Sequence, residues 1–464
     1  MSRSAGRFAG SAAALAALVV GAAAPLPAAS ASSAPASAAA PQLGVVRGAV
    51  VAPSLVPYES AQARLRYLLP RRAAALPALD RAPAIYVADA STGAVGYRRN
   101  WTTQMRGAST MKLLTAATTL RLMGTDRTFP TVVRTGRTSR EVVIVGGGDP
   151  LLSSAQLDTL AVRTAAKLAA LVPAAPVTPP ASPTPVAFTV RLDDTLFAAP
   201  TAAAGWRSTY LPTEVMPVRP LVRDLRNSWD GAKSAAQWFT ARVDLALKKQ
   251  LAARTDLAPS VGYAGRLKAP AASTVVSQIT GNSSGAILKY MLLWSDNDVA
   301  EMMFRNNALA AAHTATWAGG IATARETLAA LRIPATEWTI RDGSGLSRED
   351  RMTANGLAAL LRRAASPNYP ALAPLRTYLP VGGVSGTLSR AYHRYDTAPT
   401  SCARGKVWGK TGSLFDTIAL AGYARGADGR LKVFVTLVHR TRSYDGLTVR
   451  RSADRIAATA TGCY

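Results

Sequence analysis

The chain has 464 residues, and 48% of them are hydrophobic, which indicates a folded protein of more than one domain and excludes a largely disordered chain. Lysine and arginine total 54 against 27 aspartate and glutamate residues, so the formal net charge is +27. These basic residues are scattered and form no nucleic-acid-binding motif. We therefore expect no nucleic-acid partner, and the charge is compatible with an anionic surface nearby.

The N-terminus has the pattern of an export signal. Arg3 and Arg7 form a short basic region that precedes an uncharged apolar run from Phe8 to Ala24. Ala29-Ser30-Ala31 then supplies small residues for a signal peptidase. A membrane anchor is the alternative, but the run is short, rich in alanine and followed by prolines. We predict a signal peptide at 1–31, a disordered Ala/Pro/Ser leader at 32–56, and a secreted, extracytoplasmic mature protein without a transmembrane span.

From residue 58 onward, hydrophobic spacing predicts a mixture of helices and strands. Helices are predicted at 58–69, from 109 to 120, and at 155–171, 232–251, 286–294, 298–312, 321–331 and 447–459. Strands are predicted at 84–87, 95–98, 142–145, 188–192, 406–411, 417–424 and 432–438. Antiparallel hairpins with helices packed on them indicate an α+β fold. The proline-rich middle predicts a smaller inserted domain at 151–275, with 57–150 and 276–464 forming the main domain.

Two cysteines occur, Cys402 and Cys463, and we predict that they form one disulfide in an exported chain. Two free thiols are the alternative. The cysteines and the three histidines show no metal-ligand spacing. We therefore expect no metal, no cofactor and no histidine-based catalytic triad.

Three short motifs occur in one order along the chain. Ser109-Thr110-Met111-Lys112 opens a predicted helix, Ser295-Asp296-Asn297 lies between two helices, and Lys410-Thr411-Gly412 lies on a strand near the C-terminus. Each motif is weak alone, but the three together in this order and placement are specific.

The spacing of the first motif predicts an activated nucleophile. Residues i and i+3 of a helix share a face, so the Ser109 hydroxyl and the Lys112 amine should meet. A lysine is a base only when its amine is neutral, and burial together with a second cation, Lys410, would lower its pKa. We predict Ser109 as nucleophile, Lys112 as base, and the N–H groups of Ser109 and Ser413 as an oxyanion hole. A helix cap at Ser109 with a solvated Lys112 is the alternative.

The other two motifs complete a predicted acyl-transfer site. Ser295 would relay a proton to the leaving amine, and Asn297 would hold the substrate amide. Lys410, Thr411 and Ser413 form a cationic, hydroxyl-lined slot suited to a free carboxylate, and a substrate backbone can lie along Gly412 as an added strand. The alternatives are that Ser295 is an ordinary N-cap and that the third motif is plain strand-end sequence.

These motifs resemble those of the D-alanyl-D-alanine carboxypeptidase/endopeptidase family of low-molecular-mass penicillin-binding proteins, type-4 branch. Four further blocks look like that family: 147–150 (GGDP), 191–197 (RLDDTLF), 342–348 (DGSGLSR) and 379–388 (LPVGGVSGTL). The resemblance implies a transpeptidase/β-lactamase-like domain, an antiparallel five-stranded sheet flanked by helices, with an insertion. It also implies peptidoglycan stem peptides as substrates, β-lactams as covalent inhibitors, a cell-wall location, and the site roles given above.

Two departures from the family pattern stand out. The insertion is shorter than the family's usual pair of inserted domains, and Ser208-Thr209-Tyr210 follows Gly205-Trp206, where members often have an acidic residue that reads a diaminopimelate side chain. The expected function is a serine D-Ala-D-Ala carboxypeptidase, with endopeptidase action on cross-links as an extension. The alternatives are a serine β-lactamase or esterase and a penicillin-binding sensor without turnover. No Glu-x-x-Asn block of class A β-lactamases is present in the sequence.

Overall fold

The computed structural model describes residues 55–79, 82–178, 180–439 and 444–463; the predicted signal peptide and all but the end of the predicted leader lie outside these ranges. No helix in the described ranges has both the length and the apolarity needed to cross a bilayer. The helices are α1 Tyr58–Ala74, α2 Lys112–Met123, α3 Ser154–Ala169, α4 Gly231–Gln250, α5 Ser284–Trp294, α6 Asn297–Ala310, α7 Trp317–Ala330, α8 Ala354–Ala364, α9 Pro374–Thr377 and α10 Gly446–Ala460. The strands are β1 Ala84–Asp89, β2 Val95–Arg99, β3 Thr131–Thr135, β4 Glu141–Val145, β5 Thr184–Asp193, β6 Leu257–Arg266, β7 Val275–Ile279, β8 Trp338–Thr339, β9 Arg351–Met352, β10 Val407–Leu414, β11 Thr417–Arg425 and β12 Leu431–His439.

Side chains cap many of the helices. At these starts a side-chain oxygen accepts a hydrogen bond from a backbone N–H that has no partner inside the helix. Ser153 and Gln156 form a reciprocal capping box before α3. The helices α4, α5, α7, α8 and α10 follow Asp230, Ser283, Thr316, Thr353 and Asp445.

The first sheet has five strands in the order β10-β11-β12-β1-β2, and all neighbouring strands are antiparallel. Both faces are covered by helices, which explains why its central strands are almost wholly apolar. Ile418 and Leu420 pack under α1 and α10, whereas Ala419 and Ala421 face the layer formed by α2 and α5–α8. The predicted α+β fold, with a five-stranded antiparallel sheet flanked by helices, is confirmed.

The second sheet has the order β6-β5-β4-β3-β7, with parallel pairing of β4 to β5 and of β5 to β6. Together with α3 and α4 it has its own hydrophobic core. Its strands run from Thr131 to Ile279, a wider span than the 151–275 predicted for the insertion. The difference arises because β4 pairs with β5, and β3 pairs with β7, so the segment 131–145 joins the inserted region rather than the first sheet.

A disulfide between Cys402 and Cys463 joins the loop before β10 to the end of the chain after α10. This confirms the predicted pairing. The bond closes a loop that contains β10, β11, β12 and α10.

We expect Cys463→Ser to lower the free energy of unfolding. The cysteines are 61 residues apart, and closing a loop of that size stabilises the folded state by about 4 kcal/mol through the entropy of the unfolded chain. For a chain of this size the loss corresponds to a fall in Tm of roughly 5 °C, measurable by differential scanning calorimetry. Wild-type protein in reducing agent should match the variant, and equal Tm values for oxidised wild type and variant would contradict the expectation.

Candidate active site

Ser109 lies in a 3-10 turn, Ala108–Met111, that leads directly into α2. The α-helix proper begins at Lys112 and not at Ser109, but residues i and i+3 of a 3-10 turn also lie on one side, so the predicted contact persists. Two glycines let other segments approach this turn closely. A Cβ on Gly345 would collide with the carbonyl oxygen of Ala108, and a Cβ on Gly412 would lie 2.5 Å from the carbonyl oxygen of Gly107.

The Lys112 side chain is fully buried and has three polar neighbours. Its Nζ lies 3.0 Å from Ser109 Oγ, 2.7 Å from Asn297 Oδ1 and 3.0 Å from the carbonyl oxygen of Ser344. A charged amine donates to all three. The alternative of a solvated lysine beside a capping serine does not describe this geometry, because the amine is enclosed and directed at the serine hydroxyl.

Burial lowers the pKa of Lys112 to about 8. The carboxylates of Glu301 and Asp342 act in the opposite direction, since they favour the charged amine. Burial, followed by repulsion from Lys112, lowers the pKa of Lys410 well below its usual value. The second cation therefore has its effect on Lys410, while burial alone is the main cause at Lys112.

Ser295 ends α5 in a left-handed conformation with φ 64° and ψ 29°. Lys410 Nζ donates to Ser295 Oγ at 2.7 Å and to the carbonyl oxygen of Thr411 at 2.8 Å. Asp296, and not Ser295, caps α6 by accepting a hydrogen bond from the N–H of Val299 at 2.9 Å. The hydroxyl of Ser295 is thus directed to Lys410 rather than to a helix terminus.

Strand β10 is an edge strand of the first sheet, and its start is partly covered. The Gly409 N–H points away from β11 and donates to the carbonyl oxygen of Pro380 at 3.0 Å. Backbone groups of alternate residues in a strand point to the same side, so the N–H groups of Thr411 and Ser413 also point to the outer edge. This arrangement presents backbone donors where Thr411 and Ser413 line the cleft described next.

The three motifs meet at one cleft with a volume of about 620 Å³. Ser109, Ser295, Asn297, Thr411 and Ser413 line it, while Lys112 and Lys410 are buried. The segment between β5 and α4 forms another wall. The remaining lining residues are Arg207, Thr209, Tyr210, Glu214, Leu346, Thr387, Tyr392, Arg394, Leu414, Phe415 and Arg450.

The segment between β5 and α4 is joined to the site by hydrogen bonds to α6. Asn297 Nδ2 donates to the carbonyl oxygen of Glu214 at 2.8 Å, and Asp298 Oδ1 accepts from the N–H of Met216 at 2.7 Å. On the opposite side, the Thr411 hydroxyl donates to Thr387 Oγ1 at 2.8 Å, and Ser413 Oγ accepts from Arg450 at 3.3 Å. In the described ranges no group of three or more His, Cys, Asp or Glu residues is placed to hold a metal ion.

Sequence reasoning missed several parts of the site. The block Asp342–Arg348 was recognised only as a resemblance, yet its Ser344 carbonyl contacts Lys112. Arg348 at the end of the block forms an ion pair with Asp416, beside the turn between β10 and β11. The Glu214 carbonyl could not be predicted, because a backbone contact depends on the path of the chain and not on side-chain type.

Known proteins that are similar to this chain include carboxypeptidases. The D-Ala-D-Ala carboxypeptidase 3 (S13) family matches residues 68–218 and 232–460. Carboxypeptidase DacB of Mycolicibacterium smegmatis is 30% identical over 387 residues, which cover 81% of this chain and 80% of that protein. D-alanyl-D-alanine carboxypeptidase of an Actinomadura species is 27% identical over 438 residues, covering 76% of this chain and 77% of that protein.

A solved structure with the same fold is penicillin binding protein 4 of Haemophilus influenzae. The two share 19% sequence identity with a TM-score of 0.64, covering 83% of this chain and 98% of that one. The family match spans well over half of the chain and includes all three motifs. The chain belongs to the D-Ala-D-Ala carboxypeptidase 3 (S13) family.

Proposed function

We propose that this protein is a serine-type D-Ala-D-Ala carboxypeptidase that acts through an acyl-enzyme on Ser109. The observation that carries the proposal is the contact of 3.0 Å between Ser109 Oγ and a buried lysine amine. Ser109 Oγ attacks the carbonyl carbon of the penultimate D-alanine, the peptide C–N bond breaks, and the terminal D-alanine leaves as its amine. Water then hydrolyses the ester and restores the serine hydroxyl.

The hydrogen bonds of Lys112 favour its action as the base. A neutral amine has two N–H donors and one lone pair. Asn297 Oδ1 and the Ser344 carbonyl oxygen can only accept, so they take both N–H groups. The lone pair is then left for the hydroxyl proton of Ser109, and the burial that lowers the pKa of Lys112 keeps part of the population neutral near pH 8.

Ser295 has the position of a proton relay in this reaction. Its hydroxyl accepts a hydrogen bond from Lys410, so its own proton remains available to the leaving amine. Ser295 Oγ lines the same cleft as Ser109. Its bonded partner is Lys410, so the proton that Lys112 takes from Ser109 would have to cross the cleft to replace the one that Ser295 gives to the leaving group. No metal or cofactor enters the scheme.

The edge of β10 would bind the end of the substrate. The outward N–H of Ser413 and the N–H of Ser109 form the proposed oxyanion hole, where one donor contributes about 3 kcal/mol to barrier lowering. The hydroxyl of Ser413, and that of Thr411 once it turns from Thr387 to the substrate, would hold the free carboxylate, with Lys410 behind them. Asn297 Nδ2 uses one hydrogen on the Glu214 carbonyl, and its second hydrogen can hold a substrate carbonyl.

We further propose that the natural substrates are peptidoglycan stem peptides outside the cytoplasm, with endopeptidase action on cross-links as an extension. The signal-peptide pattern at 1–31 and the family membership support this location. β-Lactams are the proposed covalent inhibitors. The Haemophilus influenzae protein with the same fold has been solved in complex with a β-lactam.

The proposal is tested by the intact mass of the mature protein after brief exposure to benzylpenicillin, followed over time. In parallel, release of D-alanine from a peptide ending in D-Ala-D-Ala is measured enzymatically. We expect a lasting one-to-one adduct together with released D-alanine. A short-lived adduct with hydrolysed penicillin would identify a β-lactamase, a lasting adduct without D-alanine release would identify a sensor, and no adduct would refute the assignment of Ser109.

A further inference from the structure

Glu301 is a fully buried acidic residue behind the reactive serine, and it does not line the cleft. Its two carboxylate oxygens accept hydrogen bonds from consecutive backbone N–H groups, that of Gly343 at 2.8 Å and that of Ser344 at 2.9 Å. A carboxylate that accepts two backbone N–H groups holds a segment in one orientation. Glu301 therefore holds in place the loop at Gly343 and Ser344, and the carbonyl oxygen of Ser344 contacts Lys112.

The same loop is fixed from its other side. The Thr115 hydroxyl donates to the carbonyl oxygen of Gly343 at 2.7 Å, and this carbonyl belongs to the same peptide plane as the Ser344 N–H. Asp342 Oδ1 accepts from the N–H of Gly345 at 2.7 Å, which lies in the plane of the Ser344 carbonyl. These contacts fix the orientation of the Ser344 carbonyl, which points at the Lys112 amine 3.0 Å away.

One face of α6 therefore supplies or positions both acceptors of the Lys112 amine, Asn297 Oδ1 and the Ser344 carbonyl oxygen. Asn297 and Glu301 are four residues apart and lie on the same face of the helix. Asn297 Oδ1 accepts from Lys112 directly, and Glu301 acts through the Ser344 carbonyl. We propose that Glu301 is a positioning residue that fixes the Ser344 carbonyl and so directs the lone pair of Lys112 at Ser109, an inference that rests on the proposed function.

The charges around the amine support this role. The carboxylate of Glu301 favours the protonated form of Lys112. Burial raises the pKa of Glu301 to about 8, whereas its hydrogen bonds from Ser344 and Gly343 and the charge of Lys112 favour the carboxylate. When Lys112 takes the proton of Ser109, the ionised Glu301 stabilises the ammonium that forms, in a site too buried for water to do so. Glu301 thus positions the base before proton transfer and stabilises the ammonium afterwards.

The test compares acylation by benzylpenicillin in the wild type and Glu301→Gln, resolving the noncovalent dissociation constant from the acylation rate constant. Glutamine has the same size, but its amide nitrogen is a donor and would face one of the two backbone N–H groups. The loop must then shift, and displacement of a reacting group by about 1 Å costs roughly 100-fold in rate. We expect that loss in the acylation rate constant, with an unchanged dissociation constant because Glu301 does not line the cleft.

Asn306→Ala is the matched control, because Asn306 is also buried on α6 and donates to the Gly148 carbonyl at 2.8 Å, away from Lys112 and from Thr115. It should lose stability but keep the wild-type acylation rate constant. If Glu301→Gln does not fold, Thr115→Val serves instead, since it removes the other restraint on the Gly343–Ser344 peptide. We expect a fall of about tenfold in the same rate constant.

The outcomes separate two failures. Equal acylation rate constants in wild type and Glu301→Gln would overturn the positioning role while leaving Ser109 as nucleophile. A loss of the same size in Asn306→Ala would also overturn it, because general destabilisation would then explain the result. If the wild-type protein forms no adduct at all, the proposed function fails, and the positioning role fails with it.

Discussion

Replacement of Ser109 by alanine is expected to abolish formation of the covalent penicillin adduct and to reduce D-alanine release by about 10⁶-fold. The substitution removes only the hydroxyl group, whose Oγ lies 3.0 Å from Lys112 Nζ. Loss of a catalytic nucleophile eliminates the covalent pathway, so the residual rate comes only from substrate binding and the oxyanion hole. Intact mass spectrometry and a D-alanine assay measure the two effects.

The fold should survive this substitution. Among the described residues, the Ser109 side chain hydrogen-bonds only to Lys112, and the adjacent turn is fixed by the close approach of Gly345 and Gly412. The Tm of Ser109→Ala should therefore stay within about 1 °C of the wild-type Tm. Ser208→Ala, at an exposed serine beside the cleft, is the matched control and should retain the adduct. An adduct on Ser109→Ala would show that another residue is the nucleophile.

Much of the fold could be predicted because its signals are local. The central strands of the first sheet are apolar runs joined by turns, as expected of strands buried on both faces. Helix α8 escaped prediction although Leu357, Leu360, Leu361 and Ala364 recur at helical spacing. Strand β6 gave a weaker signal, because its ten residues include proline and glycine. The membership of β3 and β4 in the second sheet depends on pairing with distant strands and has no local signal.

The site shows the same division between side-chain and backbone information. The spacing of Ser109 and Lys112 predicts their contact directly, and the order of the three motifs brought Ser295 and Lys410 into the same prediction. The carbonyl oxygen of Ser344 lies 3.0 Å from Lys112 Nζ, and that of Glu214 lies 2.8 Å from Asn297 Nδ2. They could not be predicted, because any residue type supplies a carbonyl and only the chain path determines where it points.

Lys112→Met is the second change with a large expected effect. We expect acylation by benzylpenicillin to slow by about 10³-fold, the contribution typical of a general base. Methionine approximately fills the volume of the lysine stem but has no lone pair that can take a proton at neutral pH. Removal of a buried charge need not destabilise the fold, although the acceptors on Asn297 and Ser344 lose their partner. Stopped-flow measurement of the acylation rate constant checks the effect, with the exposed Lys289→Met as the matched control.

The pH dependence distinguishes a base from a merely cationic lysine. Burial lowers the pKa of Lys112 to about 8 and raises that of the neighbouring Glu301 to about 8, so the two groups titrate over the same pH range. The Lys112 amine is mostly protonated at pH 6 and mostly neutral at pH 9. Only the neutral form accepts the Ser109 proton, so the wild-type acylation rate should rise about tenfold per pH unit below pH 8 and level off above it. In Lys112→Met the acylation rate should no longer rise with pH below pH 8. Lys112→Arg should be equally slow over the whole pH range, because a guanidinium keeps its proton. If Lys112→Arg retained the wild-type rate, positive charge rather than proton transfer would be the contribution of Lys112, and the proton of Ser109 would have to leave through Ser295 and Lys410.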